Sequence, residues 1–297
     1  MKIIINADDF ANSLNMSDII IQCAKKGVLN STSIMINSPF LDEAIGKLRD
    51  LNMRTSLHLN IAEGKPVSNQ NELNYLLQDG QFSKSFEKVV LGYYFGTKQK
   101  REIIKNDIKT EFKNQILLYS KKLHTKEINL DSHQHYHTIP FIVDTLIELK
   151  KELELNISYI RVPKEPFFID LSSIKNIKNY LGLNLIKHIL LNFFSIGLIK
   201  KLTQYNIKHN DAFVGVLFTG NVTFSSIKQA MKKIDTSKCV EILLHPGYLS
   251  LEESSKCKDD QFKQFYINTG RKKEMQVLLS QEFKDFIKTK GRDASSN

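Results

Sequence analysis

The chain has 297 residues, of which 41% are hydrophobic and 25% charged, a balance typical of a soluble globular protein and unlike that of a disordered or fibrous chain. Its formal net charge of +10 comes mostly from lysines scattered over polar segments, without the alternation of basic and aromatic residues that would indicate a nucleic-acid partner. The three cysteines form no CxxC pair, which argues against a disulfide framework or a thiolate zinc site and favours a reducing cytoplasm.

Two apolar segments resemble membrane signals but fall short of them. The apolar run at the start is interrupted by Asn6 and is too short for a signal peptide. The stretch Ile189–Ile199 contains Asn192 and is closed by Lys200 and Lys201, well short of the roughly 20 residues that cross a bilayer. We therefore expect a buried or lid helix there and no stable membrane insertion.

Short apolar runs alternate along the chain with longer segments of helical periodicity. The predicted strands are 2–6, 32–36, 55–59, 128–130, 159–162, 213–218 and 240–244. The predicted helices are 14–26, 43–50, 105–122, 142–153, 225–234 and 272–288, with a loop over 82–101 and a disordered tail at 293–297. This alternation predicts a single α/β domain over 1–292, built as a TIM-barrel-like (β/α) barrel that is distorted or seven-stranded, with an open doubly wound sheet as the alternative.

Acidic residues and histidines follow many of the predicted strands, at the end where parallel α/β folds assemble their sites. Asp8 and Asp9 come directly after the first strand. They can address one site only if the chain turns there, because side chains alternate along a strand. One carboxylate could then bind a metal and the other accept a proton from the attacking water, whereas an isolated pair of this kind more often caps a helix.

The densest candidate cluster is the run from Asp131 to His137, in which Asp131, His133, His135 and His137 would share one face if the chain were extended. Imidazole is the commonest protein ligand for metals, and a nearby carboxylate often orients it. A partly exposed histidine-rich loop is the alternative. Spacing alone leaves open whether His133 or His135 is the ligand.

Three further candidates are less informative alone. His58 could be a ligand or a hydrogen-bonded core imidazole, and His245 could be a general acid or a packing residue. Arg161 could hold a substrate oxygen or form a structural ion pair. Together the candidates supply one carboxylate and two imidazoles for zinc, manganese or cobalt, with a base and an acid beside them. This set fits metal-assisted hydrolysis of an amide or ester.

The same residues carry a resemblance to a known family. The chain resembles the YdjC-like carbohydrate deacetylases, which include chitooligosaccharide deacetylase, in six blocks that occur in the same order. These blocks are Ile3–Phe10, Gly27 with Ser31–Asn37, Leu57–Pro66, Asp131–His137, Arg161–Pro163 and Glu241–Gly247. The sequence departs from the family pattern at Ala11 and Ser56, where glycine is common, and 170–205 matches no family block.

The resemblance implies a TIM-barrel-like fold, one divalent metal ion (magnesium or zinc), and removal of acetyl groups from N-acetylglucosamine units of an oligosaccharide or glycoconjugate. Carried over residue by residue, it implies Asp9, His58 and His133 as metal ligands. It implies Asp8 as the base and His245 as the acid. We also expect Arg161, His135 and Asn60 to bind substrate, and 170–205 to shape the substrate cleft.

Two other functions compete with this one. A metal-dependent phosphoesterase would use similar histidines, but the sequence lacks a glycine-rich phosphate cradle. A non-catalytic glycan-binding barrel would keep the fold without turnover. We expect an acetylated sugar as the partner, no nucleic acid, and a homodimer as the commonest form of assembly.

Overall fold

The computed structural model of the protein describes residues 1–153, 156–170, 172, 179–235, 237–256 and 260–292. Its central feature is a sheet of seven parallel strands. These strands are β1 (Lys2–Phe10), β2 (Ser31–Met35), β3 (Arg54–Leu59), β6 (Glu127–Ser132), β7 (Asn156–Ile160), β8 (Ala212–Val214) and β9 (Cys239–Leu244). A separate hairpin is formed by β4 (Leu77–Gln78) and β5 (Gln81–Phe82).

The order of the strands is that of a barrel. They lie in the order β7-β6-β3-β2-β1-β9-β8. Read as a circle, this is the order of the strands along the chain, with the last strand, β9, beside the first, β1. It lacks the reversal that defines a doubly wound sheet. The two edge strands, β7 and β8, also approach each other, because Ile160 N at the end of β7 donates to the O of Lys208, just before β8, at 3.0 Å. Phe213 N donates to Lys164 O at 2.9 Å. The sheet therefore curls into a distorted barrel, which confirms the barrel prediction over the open-sheet alternative.

Helices flank the sheet, and their apolar side chains pack with those of the strands in one large core cluster and a small second one. They are α1 (Leu14–Lys26), α2 (Leu41–Leu48), α3 (Phe86–Tyr94), α4 (Lys98–Leu123), α5 (Pro140–Glu152), α6 (Leu183–Gln204), α7 (Phe224–Met231), α8 (Leu251–Lys256), α9 (Asp260–Tyr266), α10 (Thr269–Leu279) and α11 (Gln281–Arg292). Short 3₁₀ turns occur at Gln70–Glu72 and His133–Thr138.

Three predicted elements are wrong in extent or type. The segment 82–101 is not a loop, since it holds α3 and the start of α4, whose first turns are capped by the side chains of Ser85 and Thr97. The helix predicted over 272–288 is two helices that meet at Ser280. The strand predicted over 213–218 ends at Val214 because Gly215 has a φ of 136°, outside the strand region. The tail at 293–297 lies outside the described residues.

A buried carboxylate ties two loops of the barrel rim together. Glu165 follows β7 and is 2% exposed. It accepts hydrogen bonds from the backbone N–H groups of Gly215 (2.6 Å), Val216 (3.2 Å) and Leu217 (2.7 Å), which follow β8. Burial raises the pKa of Glu165 from 4.5 to about 7, against the opposing effect of these donors.

This shift predicts a pH-dependent stability. Between pH 4.5 and about 7 the folded carboxyl keeps a proton that the unfolded chain has released. Its contribution is therefore full below pH 4.5 and is lost as the pH rises through 7. Glu165→Gln cannot titrate, so the stability of the wild type relative to this variant should fall by up to about 1.4 kcal/mol per pH unit in that window. Urea unfolding across the range measures this, and parallel curves for the two proteins would contradict it.

Candidate metal and catalytic site

The chain turns sharply where β1 ends, and this turn directs both aspartates to one place. The pairing of β1 with β2 shifts register between Ala7 and Phe10. Asp9 has a left-handed φ of 67°, and Asn12 N donates back to Asp9 O at 3.2 Å. The turn that allows Asp8 and Asp9 to address one site is therefore present. Asp8 Oδ2 and Asp9 Oδ1 lie 3.9 and 3.8 Å from the same atom, His58 Nε2.

His58 is oriented from behind by a carboxylate of the adjacent strand. It lies near the end of β3, and the β3–β6 pairing sets it directly beside Asp131. His58 Nδ1 and Asp131 Oδ1 are 2.5 Å apart, so the other ring nitrogen, Nε2, faces Asp8 and Asp9. Burial alone would lower the pKa of His58, but Asp8, Asp131 and Asp9 raise it above its ordinary value. A bound cation would replace that proton.

Asp9, His58 and His133 offer ligand atoms that all lie within 4.8 Å of one another. Asp9 Oδ1 is 3.3 Å from His133 Nδ1. His58 Nε2 is buried without a hydrogen-bond partner among the described residues, and Asp9 Oδ1 accepts no hydrogen bond of good geometry from them. Such atoms are costly to bury unless a ligand satisfies them. One carboxylate and two imidazoles are also a suitable donor set for a divalent metal, so these residues fit the expected ion.

Two of these three residues are held by partners that the sequence did not reveal. Arg271 Nη2 lies 2.7 Å from Asp9 Oδ2 and keeps the pKa of Asp9 well below its usual range, although burial opposes this. Glu63 Oε1 lies 3.4 Å from His133 Nε2 and also accepts a hydrogen bond from the hydroxyl of Tyr266. No local pattern marks Arg271, which is far along the chain on α10. Glu63 lies in the block Leu57–Pro66, but no feature of the sequence marks it as a residue of the site.

Arg161 lies at the centre of a polar network inside the barrel. Its guanidinium donates hydrogen bonds to both carboxylate oxygens of Asp8, at 2.8 and 2.9 Å, and lies 3.0 Å from Asp131. Its Nε lies 2.5 Å from Glu241. The pKa of Asp8 is therefore held below its ordinary value despite burial. The expectation that Arg161 binds substrate is corrected: its side chain is fully buried among these carboxylates and does not line the cleft.

Asn60, also expected to bind substrate, is another structural residue. It is fully buried, its side-chain amide donates to Asn37 and to Glu63 O, and its side-chain oxygen accepts from Ala62 N. These bonds shape the loop that carries Glu63. Asn60 does not line the cleft.

The histidine run after β6 is not extended. Gln134 and His135 take left-handed φ values of 54° and 61°, so 133–138 form a 3₁₀ turn and the side chains do not share one strand face. This turn separates their environments. His137 uses one ring nitrogen on Ser132 Oγ (2.7 Å) and the other on Arg161 O (2.9 Å), so it has no nitrogen left for a ligand.

His135 is the member of the run that faces the cleft without joining the three-residue group. It is 4% exposed, and its Nδ1 has no hydrogen-bond partner among the described residues. Burial holds its pKa well below the usual value, with Lys187 adding to the effect, so the ring is neutral. This environment leaves it suited to a hydrogen bond with a bound molecule.

A cleft of about 580 Å³ opens over the site. Its walls include Asp8, His58, His133 and His245. His245 follows β9 directly, its backbone N donates to Glu274 Oε2 at 2.5 Å, and its Nδ1 lies 3.7 Å from the same oxygen. No pattern in the sequence marks Glu274 as a partner of His245. This carboxylate anchors the loop that carries His245.

Two helices form the outer walls of this cleft. Phe86 and Glu87 come from α3, and α6 contributes Leu183, Ile186 and Lys187. The expectation that 170–205 shapes the cleft thus holds for its described part. The alternative of a buried helix at 189–199 is wrong, because only 22% of the most apolar window of α6 is buried.

The contact between His58 and Asp131 carries a prediction. Asp131→Asn removes the charge that orients the imidazole, so the affinity for Mn²⁺ or Zn²⁺ should fall by about 10- to 100-fold. Isothermal titration calorimetry measures it. Asp107→Asn is the matched control, because Asp107 is an equally buried carboxylate that caps the backbone of Tyr75 and Leu76 outside the site. Equal affinities in the two variants would contradict an orienting role.

The chain matches the family model of the YdjC-like proteins over residues 2–289. It is 24% identical to a carbohydrate deacetylase of Xenopus laevis, with 98% of this chain and 95% of that protein covered. It is 25% identical to a carbohydrate deacetylase of Clostridium beijerinckii, with 98% and 96% covered.

Among solved structures, the chain resembles an Enterococcus faecalis protein to which cleavage of cellobiose phosphate has been attributed. The TM-score is 0.67 at 20% identity, with 98% of this chain and 95% of that chain covered. This likeness supports the fold alone. The match of the family model over nearly the whole chain shows that the protein belongs to the YdjC-like family.

Proposed function

We propose that this protein is a metal-dependent hydrolase that removes acetyl groups from amino sugars such as N-acetylglucosamine units. The observation that carries the proposal is the convergence of Asp9, His58 and His133 within mutual ligand distance, beside Asp8 and His245 at one cleft. The names of the curated relatives support the same chemistry.

Asp9, His58 and His133 would hold a magnesium or zinc ion, which when bound polarises the acetyl carbonyl and activates water. Asp8 is kept ionised by Arg161 and accepts the proton that the water loses as it attacks the carbonyl carbon. The carbon–nitrogen bond then breaks, and His245 donates a proton to the departing amine. Acetate and the free amino sugar are the products.

His135 and Lys187 are suited to hold the sugar. The neutral imidazole of His135 has a ring nitrogen available at the cleft. Lys187 lies in the facing wall, and burial lowers its pKa while the negative charges of Asp8 and Glu87 oppose that effect. Each can form a hydrogen bond with a sugar hydroxyl. Such placed polar groups fix the orientation of a ligand in a mostly apolar cleft.

The test is acetate release by protein loaded with Mg²⁺, Mn²⁺ or Zn²⁺ from N-acetylglucosamine, N,N′-diacetylchitobiose and longer acetylated oligomers. We expect acetate and free amine in equal amounts from at least one of them, and loss of both after chelation. Phosphate release from p-nitrophenyl phosphate is followed in parallel. Phosphate release without acetate from any amino sugar would instead indicate the phosphoesterase.

A further inference from the structure

Helix α6 has two apolar faces, and the fold uses one of them. Leu191, Ser195, Leu198 and Leu202 are buried against the barrel at helical spacing. On the opposite side Ile186, Ile189, Phe193 and Ile196 are 61–69% exposed. A contiguous exposed apolar face of this kind marks an interaction surface in a soluble protein. We call these four exposed residues the outer face of α6.

The segment of chain that carries the outer face is basic, although Lys187 lines the cleft and Lys201 pairs with Asp144 of α5. Residues 179–210 contain no aspartate or glutamate and four lysines, and the whole chain carries +10. Lys200 is exposed and lies on the same side of the helix as the outer face, one turn beyond Ile196. An apolar stripe bordered by lysines is the pattern of a helix that lies in the interface of an anionic bilayer.

From this pattern we propose that the outer face of α6 docks the protein onto an anionic lipid surface. The apolar run 189–199 was expected to be too short to cross a bilayer, but the whole helix has 22 residues and is long and apolar enough by length and composition. However, its buried side is packed against the barrel, so the helix cannot enter the bilayer alone. We therefore expect it to lie flat on the membrane surface. Lys200 then meets the negative headgroups, which attract a basic side chain near the membrane surface.

A second copy of this chain is the less favourable occupant. Twofold pairing through the outer face would bring two acid-free, lysine-bearing segments together, and like charges across an interface oppose association. Anionic headgroups have the complementary charge.

The docked orientation also places the cleft at the lipid surface. Ile186 belongs to the outer face and lines the cleft as well, together with Leu183 and Leu190 of the same helix. A sugar carried on a lipid headgroup would thus meet the opening directly. Docking does not depend on turnover, so its test is separate from that of the deacetylase.

The experiment is cosedimentation with two sets of vesicles, one of phosphatidylcholine and one of phosphatidylcholine mixed with phosphatidylglycerol. The wild type should bind the anionic vesicles, and binding should weaken as salt is raised. Ile189→Asn, Phe193→Asn and Ile196→Asn combined should lower the apparent affinity by about tenfold or more. These side chains do not line the cleft, so hydrolysis of a soluble substrate should be unchanged. Lys200→Glu should weaken binding to the anionic vesicles and leave any binding to pure phosphatidylcholine vesicles unchanged.

Leu251→Asn is the matched control, since Leu251 is 92% exposed and lies on α8. It should bind vesicles as the wild type does. The proposal is overturned if the wild type fails to bind anionic vesicles or if the triple variant binds them equally well. It is also overturned if light scattering shows a wild-type dimer that the triple variant converts to a monomer while vesicle binding is absent, because a second copy would then cover this face.

Discussion

Asp9→Asn is expected to abolish measurable metal binding and to lower acetate release by about 10³-fold or more. The reason is the loss of the charged ligand, since a catalytic cation contributes several kcal/mol to transition-state stabilisation and each 1.36 kcal/mol is a factor of about ten in rate. Calorimetric metal titration and an acetate assay measure the two effects. The wild type should lose the same activity when the metal is chelated.

The asparagine is chosen because Asp9 also pairs with the buried Arg271. Its amide oxygen can still accept from Arg271 Nη2, whereas alanine would leave a buried guanidinium without that partner, at a cost of about 3–5 kcal/mol. Circular dichroism and thermal unfolding show whether the variant is folded. A folded Asp9→Asn protein that binds metal and releases acetate as the wild type does would contradict the ligand assignment.

The second large effect is the loss of activity in variants of Asp8 and His245, which distinguishes the proposed base from the proposed acid. Asp8→Asn should lower kcat for the acetylated sugar by about 10²- to 10⁴-fold, the usual contribution of general acid–base catalysis, while metal is still bound. His245→Gln should lower it by a similar factor. The two variants should differ on p-nitrophenyl acetate, whose leaving group departs without a proton.

On that ester, His245→Gln should keep most of the wild-type rate, because no amine needs protonation. Asp8→Asn should lose the ester activity too, because water must still be deprotonated. Steady-state kinetics on both substrates measure the split. If His245→Gln lost both activities and Asp8→Asn lost only deacetylation, the two roles would have to be exchanged.

The sequence predicted the fold because its signals are local. Each barrel strand is a short apolar run. The polar residues near the ends of β1 and β3 and directly after β9 lie on one rim because all strands are parallel. This is why Asp9, His58 and His245 could be proposed together. The hairpin of β4 and β5 is not among the predicted elements, although its turn, Asp79-Gly80, is a favourable two-residue turn with positive φ at both positions.

The residues that hold the site residues in place could not be predicted from the sequence. Arg271 and Glu274 act on Asp9 and His245 from α10, across a contact that no spacing predicts. Spacing along the chain associates Asp131 with the histidines that follow it, whereas the register between β3 and β6 pairs it with His58.

One departure from the family pattern has a structural meaning. Ala11 stands where glycine is usual and has a φ of 72°, a left-handed conformation that glycine adopts without cost. The turn that directs Asp9 is therefore kept here at some backbone strain, of about 1–2 kcal/mol for a residue with a side chain.

Anomalous diffraction from crystals grown with Mn²⁺ or Zn²⁺ tests the metal site most directly. We expect a single strong peak about 2.0–2.3 Å from a carboxylate oxygen of Asp9 and from one ring nitrogen each of His58 and His133. A peak held by other residues, or no peak at metal concentrations that support acetate release, would contradict the proposed site.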